Sequence, residues 1–199
     1  MLKTARTIPC NMVLFILMAV SARTQIGDGA FRTCCIGANW AVNTNRNIFH
    51  HYWRPGNGFE FYAKSPFYYG NAQIGFIYMP FTGTRIPNSS FDSVYLYLHW
   101  DRGWNLYRAL SFSMGGRLGF YQMFFDRDDQ GMDANLAYEQ EFAVGFCSGV
   151  GCALPDNWRI TMNFVSLKIY TCKRIRHTLF ALGIDKAYLT PSWLRKFLQ

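Results

Sequence analysis

Apolar and polar residues alternate with a period of two along most of the chain beyond residue 30, in segments separated by turn-forming residues. Successive side chains of a β-strand point to opposite faces, so this pattern indicates strands with two chemically different faces. Eight segments show the alternation, at residues 33–42, 58–64, 72–79, 93–100, 110–121, 139–152, 158–169 and 177–188. The sequence therefore predicts an all-β chain of about eight antiparallel strands.

One segment departs from regular alternation. Apolar residues occupy even positions from Trp158 to Phe164 and odd positions from Leu167 to Ile169. An extra residue in a strand changes the face on which the following side chains lie. The shift therefore predicts a β-bulge near Val165.

The length of the segments and the chemistry of their faces favour a membrane barrel. Several segments exceed ten residues, whereas strands of soluble proteins average about 5–6, and about 9–11 tilted residues cross a bilayer. One face carries large apolar groups, and the other mixes charged residues with Gly, Ser and Tyr. A narrow barrel interior needs small residues beside long polar ones. These features predict an antiparallel up-and-down transmembrane β-barrel with its polar face inside.

The connections between segments also alternate in length. Three are expected to be short turns, at residues 64–71, 101–107 and 154–157. Four are expected to lie at the opposite end, at residues 43–57, 80–92, 125–137 and 171–176. Short turns at one end and longer loops at the other are typical of transmembrane β-barrels.

The N-terminus has the pattern of a secretory signal. Lys3 and Arg6 precede an apolar run from Met12 to Val20, and small residues follow it. We expect a signal peptide at residues 1–22, with cleavage after Thr24 or a buried N-terminal helix as the alternatives. Residues 23–189 then form the barrel domain, and residues 190–199 form a tail.

Composition argues against nucleic acid as a partner and excludes a complete disulfide framework within one chain. The chain has 20 Lys+Arg against 12 Asp+Glu, a net charge of +8, which raises nucleic acid as a partner. Export and the lack of a basic cluster longer than residues 173–176 argue against it. After signal removal an odd number of cysteines remains: Cys34, Cys35, Cys147, Cys152 and Cys172. They lack zinc-ligand spacing, so we expect no metal site at the cysteines, and no cofactor is expected.

Five charged residues occupy the inward face: Glu60, Lys64, Arg117, Glu141 and Arg159. Buried charges are tolerated when they are paired and hydrogen-bonded, so we expect them to form a lumen charge network that helps to plug the barrel. The alternative is a catalytic or proton-relay role.

An acidic segment is a candidate calcium site, with ligands Asp126, Asp128, Asp129 and Asp133. Its spacing does not match an EF-hand, and a solvated loop is the competing interpretation. A metal site at His50 and His51 is not expected, because adjacent side chains on an extended segment point in different directions.

The tail has the pattern of a short amphipathic helix. Thr190 is expected to cap it and Pro191 to occupy its first turn. Four apolar residues then gather on one side as a membrane anchor: Trp193, Leu194, Phe197 and Leu198. The alternative is a disordered terminus.

Four stretches resemble small outer-membrane β-barrel proteins of Gram-negative bacteria: residues 21–25, 70–76, 115–120 and 189–198. The resemblance implies an eight-stranded barrel in the outer membrane with both termini in the periplasm. It supplies no catalytic residues.

We therefore expect an integral outer-membrane barrel with a structural, adhesive or complex-subunit role, in contact with outer-membrane lipid, lipopolysaccharide and other envelope proteins. One alternative is a lipid-modifying enzyme similar to lipid A deacylases, for which His50, His51 and His177 near the outer rim are the candidate bases. The other is a soluble secreted ligand-binding barrel with its faces reversed.

Overall fold

The computed structural model describes residues 30–44, 48–84, 90–126, 138–171 and 175–198. Within these ranges the chain forms nine strands and a short terminal helix. The strands are β1 (Thr33–Asn43), β2 (Trp53–Pro55), β3 (Gly58–Phe67), β4 (Gly70–Gly83), β5 (Phe91–Tyr107), β6 (Leu110–Phe125), β7 (Tyr138–Ala153), β8 (Trp158–Ile169) and β9 (Ile175–Leu189). The helix is α1 (Ser192–Leu198). In the described ranges, no helix has the length and apolarity needed to span a membrane.

The eight long strands close into an antiparallel ring. Each pairs with its neighbours in the order β4, β3, β1, β9, β8, β7, β6, β5, and β5 pairs again with β4. The first strand joins the last along the whole length of β1, from the pair Thr33 and Leu189 to the pair Asn43 and Leu179. The three-residue β2 adds to the end of β4. The predicted all-β, antiparallel barrel of about eight strands is confirmed.

The two ends of the barrel differ as the alternation of connections predicts. At one end, called the short-turn end, β3–β4 and β5–β6 are joined by two-residue turns and β7–β8 by residues 154–157. Both ends of the strand sequence, at Thr33 and Leu189, also lie there. The opposite end, called the loop end, carries the longer connections.

The predicted turns at 64–71 and 101–107 are wrong in extent. β3 continues to Phe67 and β5 continues to Tyr107, so the turns themselves are residues 68–69 and 108–109. Polar residues near the short-turn end interrupt the apolar alternation, but main-chain pairing continues through them. A sequence pattern that follows side-chain polarity therefore ends each strand too early.

The predicted bulge near Val165 is also wrong. β8 pairs without interruption with both neighbours, and Val165 lies opposite Cys147 on β7 and Leu179 on β9. Val165, Leu167 and Ile169 are buried inside the barrel, and Phe164 is exposed outside. The apolar phase changes because the interior itself changes from polar to apolar along the strand.

The interior therefore has two halves. At the loop end, apolar side chains fill the lumen, and we call this group the apolar plug: Phe49, Met79, Phe81, Phe91, Met123, Leu167, Ile169 and Leu179. At the short-turn end, polar side chains surround a cavity that we call the polar chamber: Lys64, Gln73, His99, Asp101, Arg117 and Arg159.

The exterior is apolar around the ring. Large hydrophobic side chains on every long strand are exposed, among them Trp40 at 60%, Leu98 at 56% and Leu182 at 52%. Monomeric soluble proteins rarely expose contiguous apolar surface of this extent. The outward face is therefore suited to lipid, and the polar face lies inside as the sequence predicts.

The C-terminal helix forms as predicted, but its start differs. The amide of Arg195 donates to the carbonyl oxygen of Pro191 and the helix begins at Ser192, so Pro191 is the N-cap residue and not the first helical residue. The hydroxyl of Thr190 has no hydrogen-bond partner among the described residues, so it does not cap the helix. The amide of Thr190 instead bonds to the Arg32 carbonyl oxygen, which ties the tail to the segment before β1.

Candidate functional site

The deepest charged pair of the lumen joins Glu60 on β3 to Arg117 on β6. Arg117 Nη1 lies 2.8 Å from Glu60 Oε1, and the two side chains are 1% and 0% exposed. The strands are not neighbours in the ring, so the pair crosses the lumen. Alternation turns both residues inward, and closure of the ring brings them together.

Glu60 receives further hydrogen bonds from its surroundings. Asn39 Nδ2 donates to Oε2 at 2.5 Å, and the hydroxyl of Tyr97 donates to Oε1 at 2.5 Å. The guanidinium of Arg117 also lies over the Tyr97 ring, 4.3 Å from its centre. Gly75 leaves room for this tyrosine, because a Cβ there would lie 2.6 Å from the Tyr97 hydroxyl.

Two other ion pairs lie nearer the short-turn end. Lys64 Nζ lies 2.5 Å from Asp101 Oδ2, and Asn71 Nδ2 donates to the other carboxylate oxygen at 2.7 Å. Arg159 contacts Asp185 through Nη2 at 2.6 Å and through Nε at 3.1 Å. Each cation of the chamber therefore has a carboxylate partner.

These contacts differ in part from the predicted charge network. Of the five predicted residues, the structure brings Glu60 and Arg117 together, whereas Lys64 and Arg159 pair with Asp101 and Asp185, which the sequence analysis did not propose. Both carboxylates occupy inward positions of their strands, which was the available signal. Glu141 lies on the inward side of β7, half-buried, and has no ion pair among the described residues.

Side chains fill the loop-end half of the lumen only. Phe49, from a 3₁₀ turn at Ile48–His51, lies in the mouth with its ring 5.6 Å from Phe81 and 5.4 Å from His177. Phe81 and Phe91 stack at 4.7 Å. Below this layer the polar chamber holds a cavity of about 470 Å³ that opens toward the short-turn end.

The candidate histidines of the loop end lie beside aromatic and amide groups. His177 is buried against aromatic rings, and its Nδ1 lies 2.8 Å from Asn43 Nδ2. No histidine of the described segments hydrogen-bonds to a carboxylate. Burial lowers the pKa of His50, outweighing a main-chain hydrogen bond with Trp53 that raises it.

The remaining predicted residues lie partly beyond the described structure. Of the calcium candidates, Asp126 is exposed at the end of β6, and Asp128, Asp129 and Asp133 lie outside the described residues, as does the predicted signal at 1–22. Where the chain is described, no three His, Cys, Asp or Glu residues cluster as metal ligands. In α1, Trp193 is 69% exposed and Leu194 is half-buried, and the side chains of Phe197 and Leu198 are outside the described set.

Comparison with solved structures identifies the fold. Neisserial surface protein A superposes with a TM-score of 0.59 at 10% identity, over 82% of this chain and 100% of that one. The chain has the fold of the small outer-membrane β-barrel proteins. OprH of Pseudomonas aeruginosa gives 0.54 at 15% identity, over 78% and 99% of the two chains, and the N-terminal barrel of OprF from the same organism gives 0.51 at 9%, over 80% and 100%. No protein-family model and no curated protein matches the sequence.

Proposed function

We propose that the protein is an integral outer-membrane β-barrel with a structural, adhesive or complex-subunit role and does not form a pore. The apolar plug carries this proposal. Stacked aromatic rings occupy the loop-end half of the lumen, and the residual cavity beside Met79, Tyr95 and His177 is about 10 Å³, room for no more than about one water molecule. Ions have no hydrated path through such a layer.

Conductance across a planar lipid bilayer tests whether the apolar plug closes the lumen to ions. We expect no conductance steps from the wild-type barrel. Replacement of the stacked pair, Phe81→Ala with Phe91→Ala, should admit ions because the polar chamber lies directly beneath. Phe120→Ala removes the same side chain from the outer face and should remain closed. Conductance steps in the wild type would contradict the proposal, and a closed double variant would assign the seal to other side chains.

The apolar exterior supports insertion in the membrane. We expect the protein to remain in the envelope fraction after carbonate washing and to be released by detergent, whereas a soluble ligand-binding barrel would be washed out. Release of the bulk of the protein by carbonate would refute membrane insertion and favour the soluble alternative.

The orientation is part of the proposal: the short-turn end and both termini face the periplasm. An epitope inserted after Gly131, in the loop outside the described residues, should be accessible on intact cells. One inserted after Asp156 should become accessible only after the outer membrane is opened. Antibody labelling of the Asp156 insertion on sealed cells would reverse this orientation.

The tail is proposed to rest on the periplasmic membrane surface. Trp193 is largely exposed, and Arg195 and Lys196 beside it are exposed cations. An exposed indole next to cations suits the headgroup region of a bilayer, where the ring contacts the acyl boundary and the cations contact phosphates. Lipid of the inner leaflet is thus the partner proposed at this end, and lipopolysaccharide the partner at the loop end.

A further inference from the structure

The polar chamber is too large to be explained as a filled core. Its cavity of about 470 Å³ lies within the range of roughly 300–1,000 Å³ typical of small-molecule pockets. Asn105 and Ser111, close to the short-turn end, form part of its wall, and Arg117 lies at its inner end. A solute reaching the short-turn end therefore meets an open, polar recess.

The charges around the chamber are already compensated. Its cations Lys64, Arg117 and Arg159 each contact a carboxylate, on Asp101, Glu60 and Asp185 respectively. A charged ligand would find no uncompensated charge of opposite sign and would have to give up its hydration. The chamber therefore suits a neutral ligand.

A chain of hydrogen bonds favours one tautomer of the His99 imidazole. The Glu60 carboxylate in its ion pair only accepts, so Tyr97 donates to it and its oxygen accepts from Gln73 Nε2 at 2.7 Å. This directs Gln73 Oε1 toward His99 Nδ1, 3.4 Å away. Because a carbonyl oxygen only accepts, this arrangement favours the tautomer with the proton on Nδ1 and a lone pair on Nε2.

Two polar atoms of the chamber are left without protein partners. His99 Nε2 is an acceptor and Arg117 Nε–H is a donor, and neither has a hydrogen-bond partner among the described residues. The two residues are directly paired across β5 and β6, are 5% and 2% exposed, and both line the cavity. Buried polar side chains in proteins nearly always have a partner, so this pair points to a bound molecule.

We propose that the polar chamber binds a neutral, hydroxyl-bearing small molecule of the size of a mono- or disaccharide. Hydroxyl groups can both donate, as His99 Nε2 requires, and accept, as Arg117 Nε–H requires. Further hydroxyls meet the amide and hydroxyl groups of Asn163 and Ser113 on the wall. The site exists in the folded barrel whichever membrane holds it, and it does not rest on the proposed structural role.

Titration followed by nitrogen NMR of the histidine rings tests the proposal. The full barrel, labelled with ¹⁵N-histidine, is folded in a phosphocholine detergent, because glucoside and maltoside headgroups are themselves candidate ligands. Glycerol, D-glucose and sucrose serve as neutral probes, and glucose 6-phosphate serves as a charged probe. We expect D-glucose or sucrose to shift the His99 Nε2 signal saturably, and glucose 6-phosphate to bind at least roughly tenfold more weakly.

Two glycine substitutions separate binding in the chamber from binding elsewhere. Gly103 lies on the cavity wall, and a Cβ there would meet no atom closer than 3.8 Å, so Gly103→Phe places a ring in the cavity. Gly116 on the outer face has similar space, with the nearest atom at 3.9 Å, so Gly116→Phe is the matched control. We expect Gly103→Phe to abolish the saturable shift and Gly116→Phe to retain it.

Each outcome of these titrations either supports the proposal or overturns it. No saturable shift with any of the three neutral probes would overturn it and assign the cavity to water. A shift that persists in Gly103→Phe, or equal binding of glucose 6-phosphate, would also overturn it. If Gly103→Phe does not fold, Ser113→Phe fills the same cavity from the neighbouring strand and gives the same comparison.

Discussion

The buried ion pair between Glu60 and Arg117 gives the sharpest test of how this barrel is held together. We consider Arg117→Met, which keeps an unbranched side chain and removes the charge. The variant leaves Glu60, 0% exposed, with hydrogen bonds from Asn39 and Tyr97 but without its counterion. The free energy of unfolding should therefore fall by more than a surface substitution would cause.

The distance between the two charged groups sets the expected size of this loss of stability. Unit charges 2.8 Å apart attract by about 6 kcal/mol at an effective dielectric constant of about 20. Desolvation of both groups offsets much of this attraction in the wild type. When one partner is removed, the desolvation cost of the remaining charge is no longer compensated. Breaking a buried pair costs about 3–5 kcal/mol, and we expect Arg117→Met to fall in that range.

Equilibrium urea unfolding in phospholipid vesicles, followed by tryptophan fluorescence, measures the effect. Leu118→Met, at the next residue and on the outer face, is the matched control and should change stability by less than about 0.5 kcal/mol. The double variant Glu60→Leu with Arg117→Met removes both charges and should recover most of the loss, because no unpaired charge remains.

A loss below about 1 kcal/mol for Arg117→Met would refute the reasoning, since the cost of one unpaired buried charge is the basis of the estimate. It would show that water from the polar chamber hydrates Glu60 once the guanidinium is gone. A double variant no more stable than Arg117→Met would also refute it, because the loss would then come from packing.

Three further predictions follow from the faces, the close contacts and the tail. Phe120→Arg on the outer face should lower the free energy of unfolding in vesicles by about 2–4 kcal/mol, and a neutral effect would mean that this face does not meet lipid. Gly119→Ala should cost about 1–3 kcal/mol, because its Cβ would overlap main-chain atoms of β5, whereas Gly116→Ala has free space and should unfold at the same urea concentration as the wild type. Deleting residues 190–199 should leave a folded barrel with a lower unfolding temperature in detergent, because the hydrogen bond from the Thr190 amide to the Arg32 carbonyl oxygen is lost. An unchanged melting profile would show that the tail anchors nothing, and failure to assemble would assign it to assembly.

The interior shows where a sequence pattern misleads. Alternation correctly turns Glu60 and Arg117 inward, but on β8 the same rule predicts a bulge near Val165 that does not exist. That rule assumes that the inward face is polar throughout, whereas Leu167 and Ile169 belong to the apolar plug. Because polarity varies along the barrel axis, a change of phase in apolar residues did not mean a change of face.

The sequence by itself determined the number of long strands, their antiparallel order, the inward and outward faces and the short terminal helix. These properties depend on local periodicity and on the residues between segments, which are readable one segment at a time. The tertiary structure alone decided that Lys64 pairs with Asp101, that Arg159 pairs with Asp185, and that a cavity remains between them. The first pair joins β3 to β5 across one intervening strand, and the second joins directly paired residues of the consecutive strands β8 and β9. Both pairings are set by strand register and by closure of the ring, which no single segment encodes.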